Sequence, residues 1–291
     1  MALRLATRGS VLALTQAGQV AEILGGAELV EASSDGEPGD KERFVRGVER
    51  ALLAGEADIG VHSAKDLPGR MSERLEIAAV PAREDPADVW IGAGSTLDDV
   101  PEGARVGTAS LRRRAQLLAA RPDLRVEELH GNVDTRLRKL AEGELDAIVL
   151  AAAGLRRLGR EAEVGFRVPV EAMVPAAGQG ALALQVRAGD AASVEAVARL
   201  LDFDAARELT AERAAVALLE ATCSTPVGVH ARIEGERLDV EAFVGLPDGS
   251  EWLRDRVEGA AADPVAAGTL LAERLLAAGA RDLLDRAEAM A

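Results

Sequence analysis

The sequence predicts an α/β fold with two lobes built on mainly parallel sheets and a small C-terminal α+β domain. Over the first two-thirds of its 291 residues, short apolar runs alternate with longer amphipathic stretches, the pattern of strands joined by crossover helices. This alternation comes in two series, and the second begins near Arg83. Beyond residue 200, one long helical stretch precedes closely spaced strands, which indicates a separate unit of roughly 90 residues.

The first series contains four strand candidates and two helix candidates. Ser10 precedes a periodic apolar stretch and is a typical N-cap residue. Gly55 follows another such stretch, as expected at a helix C-terminus. In chain order we expect a strand at 3–7, a helix at 11–24, a strand at 28–32, a loop at 33–40, a helix at 41–54, and strands at 58–62 and 75–80.

The second series and the C-terminal region are assigned by the same signals. Pro122 and Gly143 each end a helical stretch, and Gly235 and Glu236 form the turn between two alternating strands. We expect strands at 88–91, 105–107, 126–129 and 147–151, helices at 110–120 and 134–141, then a helix at 205–220, strands at 231–233 and 238–244, and a helix at 264–278.

Composition argues against several classes of protein. The formal net charge is −15, aromatic residues make up 2%, and there is one cysteine. The acidic total and the scarcity of stacking rings argue against nucleic-acid binding, and no apolar run reaches the roughly 18 residues of a membrane span. A lone cysteine excludes an intrachain disulfide and is typical of the cytoplasm. Because the three histidines are scattered, we expect no metal site (His62, His130 and His230).

Two polar segments directly follow predicted strands, where ligands bind in open α/β sheets. Residues 62–68 hold Ser63, Lys65 and Asp66, which could bind an anion and offer a carboxylate; a capped turn with a local ion pair is the alternative. In residues 107–114, Ser110 precedes a helix whose first turn carries two arginines. Arginines oppose the helix dipole there, so a bound anion would explain them; solvated arginines after a simple cap are the alternative.

A basic stretch stands out in this acidic chain. Residues 105–139 contain nine Lys or Arg and four Asp or Glu, a local charge of +5, which leaves −20 for the rest. The stretch includes a third strand-to-helix turn, with His130, Asn132 and Arg136. It suggests a polyanionic ligand, although a solvated helix face has the same composition.

Two further features are ambiguous on their own. Cys223 follows a helix end and precedes Pro226, so its thiol could be accessible, although a lone cysteine is more often a buried small hydrophobe. Residues 178–183 mimic the G-x-G-x-x-A fingerprint but do not follow a clear strand. They therefore do not predict a dinucleotide site.

Taken together and in this order, the segments resemble the porphobilinogen deaminase (hydroxymethylbilane synthase) family nearly end to end. The matching segments are 6–10 (Ala-Thr-Arg-Gly-Ser), 62–68, 83–86 (Arg-Glu-Asp-Pro), 107–113, 131–136, 153–159, 175–181 and 223–226. The resemblance implies a monomer with two lobes like those of periplasmic binding proteins and a C-terminal domain, divided as 1–82 with 178–198, 83–177, and 203–291.

The resemblance also implies a reaction and a cofactor. The family joins four porphobilinogen units head to tail, releasing ammonia at each step, and yields hydroxymethylbilane for tetrapyrrole synthesis. Its dipyrromethane cofactor is attached through a thioether to a cysteine, and Cys223 matches the position of that cysteine. The family's catalytic aspartate corresponds to Asp66, whose carboxylate can stabilise the positive charge that develops as ammonia leaves and an azafulvene forms.

The remaining site residues implied by the resemblance bind carboxylate groups, which arginine forks hold in bidentate fashion. The cofactor contacts are Ser63, Lys65, Ser110, Arg112, Arg113, Asn132 and Arg136. The substrate contacts are Arg8, Ser10, His130, Arg157 and Gln179, the last near the hinge where the chain crosses back.

Three positions depart from the family pattern. The loop before Phe44 is short, His130 stands where an arginine is common, and Ala221 and Thr222 replace the usual Gly-Gly before the cysteine. The main prediction is therefore a transferase that uses a covalent primer. The alternative is a non-catalytic, two-lobed binding protein for a polyanionic small ligand, which would need neither Asp66 nor a modified Cys223.

Overall fold

A computed structural model describes residues 2–33, 43–222 and 224–290. The predicted loop at 33–40 and the start of the helix predicted at 41–54 lie largely outside these residues. In chain order the elements are β1 (Arg4–Thr7), α1 (Val11–Ile23), β2 (Glu28–Glu31), α2 (Arg43–Leu53), β3 (Ile59–Ser63), β4 (Leu75–Ala79), β5 (Asp88–Gly92), β6 (Arg105–Gly107), α3 (Leu111–Ala120), β7 (Arg125–Glu127), α4 (Val133–Ala141), β8 (Ala147–Ala151), α5 (Ala152–Arg157), β9 (Phe166–Arg167), β10 (Leu182–Arg187), α6 (Ala191–Val197), α7 (Phe203–Leu219), β11 (Val227–Glu234), β12 (Arg237–Gly245), β13 (Trp252–Ala260), α8 (Pro264–Ala277) and α9 (Ala280–Met290).

Two five-stranded sheets form the two lobes and confirm the α/β class. The first has the strand order β2-β1-β3-β10-β4 and the second β7-β6-β8-β5-β9. In the first sheet β1 is parallel to β2 and β3, and in the second β6 is parallel to β7 and β8. Large apolar side chains in the sheets are fully buried, including Leu5, Ile59, Trp90 and Val149.

The sheets are mainly parallel, as the sequence predicted, but each also contains one antiparallel strand. The strand β10 runs antiparallel to both β3 and β4, and β5 runs antiparallel to β8 and β9. Each of these strands begins where the chain has just crossed between the sheets, so it enters its sheet from the opposite direction. Apolar periodicity shows that a segment is a buried strand but carries no information about strand direction.

The C-terminal domain has one antiparallel sheet of three long strands in the order β11-β12-β13. The helices α7, α8 and α9 supply the other side of its core, in which Leu219, Val240 and Leu271 are fully buried. The sequence predicted α7, β12 and α8 closely but missed β13 and α9. Charged residues interrupt the apolar alternation of β13 (Arg254, Asp255, Arg256 and Glu258), because much of the strand is not buried. Within the described ranges, no helix is long and apolar enough to cross a membrane.

Candidate active site

The parallel pairing of β1 and β3 brings two charged side chains of the first lobe together. Arg8 follows β1, and Asp66 ends a single 3-10 turn that follows β3. An Arg8 Nη1 donates to Asp66 Oδ2 at 3.0 Å, and the two side chains are 32% and 38% exposed. The sequence therefore places a carboxylate that solvent can reach at the carboxyl end of the first sheet.

Lys65, beside Asp66, is half-buried and lies in the electrostatic field of both lobes. Burial is the main cause that lowers the pKa of Lys65, to about 8; the charge of Arg113 lowers it further, and Asp66 and Asp88 raise it. A cation with this environment favours an anionic neighbour that would restore its ordinary pKa. Gln16 Nε2 donates to the Ser63 hydroxyl at 3.1 Å, which ties the turn to α1.

The two arginines of α3 are buried and paired with a carboxylate that the sequence analysis did not single out. Ser110 caps the helix as predicted, accepting from the Arg113 N–H. Arg112 Nη2 lies 2.8 Å from Asp88 Oδ2, and Arg113 Nη2 lies 2.7 Å from Asp88 Oδ1. The alternative of solvated arginines is wrong, since these side chains are only 5% and 7% exposed.

Asp88 is the first residue of β5 and has no exposed surface. Burial alone would raise the pKa of Asp88, but the charges of Arg112 and Arg113 hold it well below its usual range. The carboxylate thus stays ionised and offsets one of the two positive charges. One signal could have identified it: an acidic residue opening the otherwise apolar strand Asp-Val-Trp-Ile, because a buried carboxylate requires a partner.

Gln179 lies at the crossing between the lobes and is almost completely buried. Its Nε2 donates to Asp88 Oδ1 at 2.9 Å and to the Pro86 carbonyl at 2.6 Å. The preceding Gly178 has φ +71°, and a Cβ there would lie 2.8 Å from the Ala64 carbonyl carbon. The glycine pattern therefore serves a close backbone approach behind the Asp66 turn and forms no dinucleotide fingerprint.

The third predicted strand-to-helix turn contains one half-buried cation, Arg136, and two exposed residues, Asn132 and His130. Arg136 Nε donates to the Gly131 carbonyl at 2.9 Å; burial and the charge of Arg113 lower the pKa of Arg136 to about 10. Asn132 caps α4 by accepting from the Thr135 N–H at 2.9 Å. His130 is 69% exposed and lies 2.8 Å from Glu128 Oε1.

Arg157 lies apart from the α3 arginines. Its Nη2 donates to the Gly180 carbonyl at 2.7 Å, and burial lowers its pKa while Glu84 raises it. It lines a cavity of about 480 Å³ between α1, α5 and the first crossing, the segment between β4 and β5 in which the chain first passes from one lobe to the other. Ser10 caps α1 and accepts from the Ala13 N–H, so it lies near the end of β1 that also carries Arg8.

Cys223 lies outside the described residues, but its neighbours do not. The Thr225 hydroxyl donates to the Thr222 carbonyl at 2.8 Å and accepts from the Thr222 N–H at 3.0 Å. In the described ranges, no group of three or more His, Cys, Asp or Glu side chains could hold a metal ion.

The donor set fits a ligand that carries several carboxylates. Within the part of the chain that the structure describes, neither Lys65 nor Arg136 has a carboxylate within 4 Å, although both are half-buried. Each has a lowered pKa, which means that the site disfavours these cations until an anion arrives. The fold and this site define a two-lobed α/β protein with a group of buried and half-buried cations near the half-buried Asp66 carboxylate.

Comparison with known proteins assigns the family. The family model "Porphobilinogen deaminase, dipyromethane cofactor binding domain" matches residues 3–195, and "Porphobilinogen deaminase, C-terminal domain" matches residues 206–277. The chain belongs to the porphobilinogen deaminase family, as the sequence motifs predicted.

Individual relatives agree with this assignment. A porphobilinogen deaminase of Trichlorobacter lovleyi is 43% identical over 97% of this chain and 96% of its own length. One from Thiobacillus denitrificans is 49% identical over 85% of this chain and 81% of its own length. Among solved structures, a TRAP periplasmic solute binding protein from Desulfovibrio salexigens is 12% identical with a TM-score of 0.40, covering 69% of this chain and 72% of that one.

Proposed function

We propose that this chain is a hydroxymethylbilane synthase, a transferase that condenses four porphobilinogen units head to tail and releases ammonia at each step. Family membership over both domains supports this reaction. The observation that carries it in the structure is Asp66, a half-buried carboxylate beside Lys65, whose pKa responds to charges of both lobes. A passive receptor for a polyanion would have no use for a carboxylate at the centre of its cationic cleft.

The chain's cations would hold the dipyrromethane cofactor through its carboxylates. Lys65, Arg113 and Arg136 form the coupled set, since the charge of Arg113 lowers the pKa of both others. Ser63 and Ser110 add hydroxyl groups at the two strand ends, and Asn132 supports the Arg136 turn by capping α4. When bound through a thioether to Cys223, the cofactor supplies a covalent primer to which substrate units are added.

Asp66 acts on the pyrrole nitrogen of the incoming substrate. As ammonia leaves, positive charge develops on that ring, and a carboxylate within hydrogen-bond distance stabilises it. The same oxygen can accept the proton that the ring must lose. Arg8, at 3.0 Å from Asp66 Oδ2, fixes the orientation of the carboxylate, and its fork can also bind a substrate carboxylate.

The remaining predicted substrate contacts differ in how directly they can act. Ser10 and Arg8 share the end of the first sheet with Asp66, so both can meet a substrate that Asp66 contacts. His130 is exposed and would act at the rim of the cleft. Gln179 is buried, so its placement supports a role in the hinge more than a substrate contact, and Arg157 would act from the cavity near the first crossing.

We further propose the division 1–82 with 178–198, 83–177, and 203–291. The strand β10 follows the second lobe in the chain but pairs with β3 and β4 of the first sheet. This pairing supports a discontinuous first lobe. We also propose that the chain acts as a monomer in the cytoplasm, where the precursors of tetrapyrroles are made.

Intact-protein mass spectrometry tests the proposed function. Purified from cells that make porphobilinogen, the chain should carry the added mass of two linked pyrroles. Cys223→Ser should remove that mass, whereas Ser224→Ala, a change next to the thiol, should keep it. An unmodified wild-type chain from such cells would support the non-catalytic binding protein instead.

A further inference from the structure

The buried carboxylate of Asp88 connects the cleft to the hinge. It opens β5 directly after the chain first crosses between the lobes, and it has no exposed surface. Its oxygens face Arg112 and Arg113 from α3 and the amide of Gln179 from the second crossing. One carboxylate therefore joins both crossings to the helix that carries the two arginines.

In each arginine, more than one guanidinium nitrogen makes a contact that holds the side chain in place. Arg112 Nη1 donates to the Val174 carbonyl at 2.8 Å, a carbonyl that also accepts from Gln116 Nε2 at 3.0 Å. Arg113 Nη1 donates to the Val149 carbonyl at 3.0 Å, while its Nε and Nη2 both bind Asp88 Oδ1. These contacts leave the two guanidinium groups little freedom to rotate.

The charges explain why a carboxylate is needed at this place. Two guanidinium groups that share one carboxylate repel each other, and burial penalises both. Asp88 offsets one of the two charges, so the pair presents a net charge of one towards an anion. The same carboxylate supports the charge of Lys65, whose pKa it raises against the effects of burial and of Arg113.

We propose that Asp88 is a positioning residue for cofactor loading. It holds Arg112 and Arg113 in the arrangement that receives the carboxylates of the dipyrromethane, and through Gln179 it makes that arrangement depend on the hinge. This inference rests on the proposed function, because it concerns the cofactor of that reaction. Asp88 is not proposed to contact a reacting atom; it acts through Arg112, Arg113, Lys65 and Gln179.

A second buried carboxylate provides a matched control. Glu212 of α7 is also fully buried in the hinge region. It binds Arg83 Nη1 at 2.8 Å and accepts from the Gly178 N–H at 2.6 Å and the Ala231 N–H at 2.8 Å. Its described contacts include neither arginine of α3. Removing the charge of Glu212 therefore disturbs the hinge without releasing the cleft cations.

The test compares Asp88→Asn with Glu212→Gln in cofactor loading. Apo chains made without porphobilinogen are mixed with porphobilinogen, and the gain of two pyrroles is followed by intact mass at a temperature where circular dichroism shows all chains folded. We expect Asp88→Asn to load about tenfold more slowly than Glu212→Gln, the loss expected for a charge-assisted contact. The alkaline limb of its loading rate should move to lower pH, because Asp88 no longer raises the pKa of Lys65.

A third variant covers the case in which Asp88→Asn does not fold. Asp88→Glu keeps the charge but moves the carboxylate along a longer side chain, so loading should still slow. Equal loading by Asp88→Asn and Glu212→Gln with an unmoved alkaline limb, or wild-type loading by Asp88→Glu, would overturn the positioning role. Failure of the wild-type chain to load would instead overturn the proposed function.

Discussion

The two lobes place charged residues at equivalent points, the carboxyl ends of central strands, but surround them differently. In the first lobe, Asp66 and Arg8 are about one-third exposed and form an ion pair at 3.0 Å. In the second lobe, Arg112 and Arg113 are almost fully buried, and a fully buried Asp88 pairs with both. The first lobe therefore offers groups that can change partners, whereas the second offers groups whose positions are already set.

The difference has an energetic basis. An ion pair near the surface contributes little free energy and costs little to separate, which suits the catalytic role proposed for Asp66. A buried cluster costs desolvation, and its members keep their positions only while every partner is present. In the second lobe, this desolvation cost accompanies fixed positions for Arg112 and Arg113, which the proposed binding of an anionic ligand requires.

The largest effect that this comparison predicts is on turnover. Asp66→Asn should fold normally and keep the cofactor mass but lose about 10²–10⁴-fold in rate, because the neutral amide neither stabilises the developing charge nor accepts the proton. Product formation assayed with porphobilinogen measures this. Asp58→Asn, which alters a carboxylate paired with Arg4 outside the cleft, should keep most of the activity. Near-normal turnover by Asp66→Asn would show that the exposed pair has no chemical role.

The second effect is on stability. Arg113→Leu should lower the free energy of unfolding by about 3 kcal/mol, because Asp88 loses a buried partner. Arg105→Leu is the control: its Nε and Nη2 bind the two carboxylate oxygens of Asp146, but both side chains are exposed, so the loss should stay below about 1 kcal/mol. Urea denaturation of the two variants measures the difference. Equal losses would mean that burial does not distinguish the two kinds of pair.

A third prediction concerns Lys65, which lies between the two regions. Burial lowers its pKa from an ordinary 10.5 to about 8 in the folded chain. Between these values the unfolded chain binds more protons, so the free energy of unfolding rises with pH through this window. Below about pH 8 the charged lysine therefore costs stability.

Removing that lysine should stabilise the apo chain. In a Cys223→Ser background, Lys65→Met should raise the free energy of unfolding at pH 7 by on the order of 1–2 kcal/mol, allowing for partial solvent screening, and by less at pH 10. Lys139→Met is the control, at a partly exposed lysine 3.7 Å from Glu144, and its effect should be the same at both pH values. Denaturant titrations at both pH values decide this, and a pH-independent effect of Lys65→Met would contradict it.

The smallest effect is expected at the rim. His130 and Glu128 are both about 70% exposed and form one contact at 2.8 Å, so His130→Ala should change the free energy of unfolding by less than about 0.5 kcal/mol. Any effect should appear in KM for porphobilinogen, with kcat retained. A large loss of stability would show that this pair is more than a surface contact.

Sequence patterns predicted most of the elements that carry the site. The strand at 105–107 and the strand at 147–151 have the predicted bounds, and Ser10, Ser110 and the Gly-Asn turn begin helices as expected. These signals are local, because capping and apolar periodicity involve residues a few positions apart. The missed strand β10 lies next to the glycines of the second crossing, where the sequence shows no clean alternation.

The site was predicted unevenly for the same reason. Motif matches predicted the site residues and the family, and the comparisons confirmed the family. Asp88 was missed because its importance depends on partners 24, 25 and 91 positions away in the chain. Likewise, the residues that flank Gln179 and His130 in the sequence do not indicate that Gln179 is buried and His130 is exposed.

The sequence by itself determined the α/β class, the strand-to-helix turns that bear the charges, and the family, because each depends on residue types in a fixed order along the chain. Only the tertiary structure decided strand direction, which cations are buried, and which carboxylate neutralises them. Those properties depend on which segments come into contact after folding, and so does the local electrostatic field between the lobes. An acidic chain with a net charge of −15 can therefore form a cationic cleft, since burial concentrates a few positive groups where solvent no longer screens them.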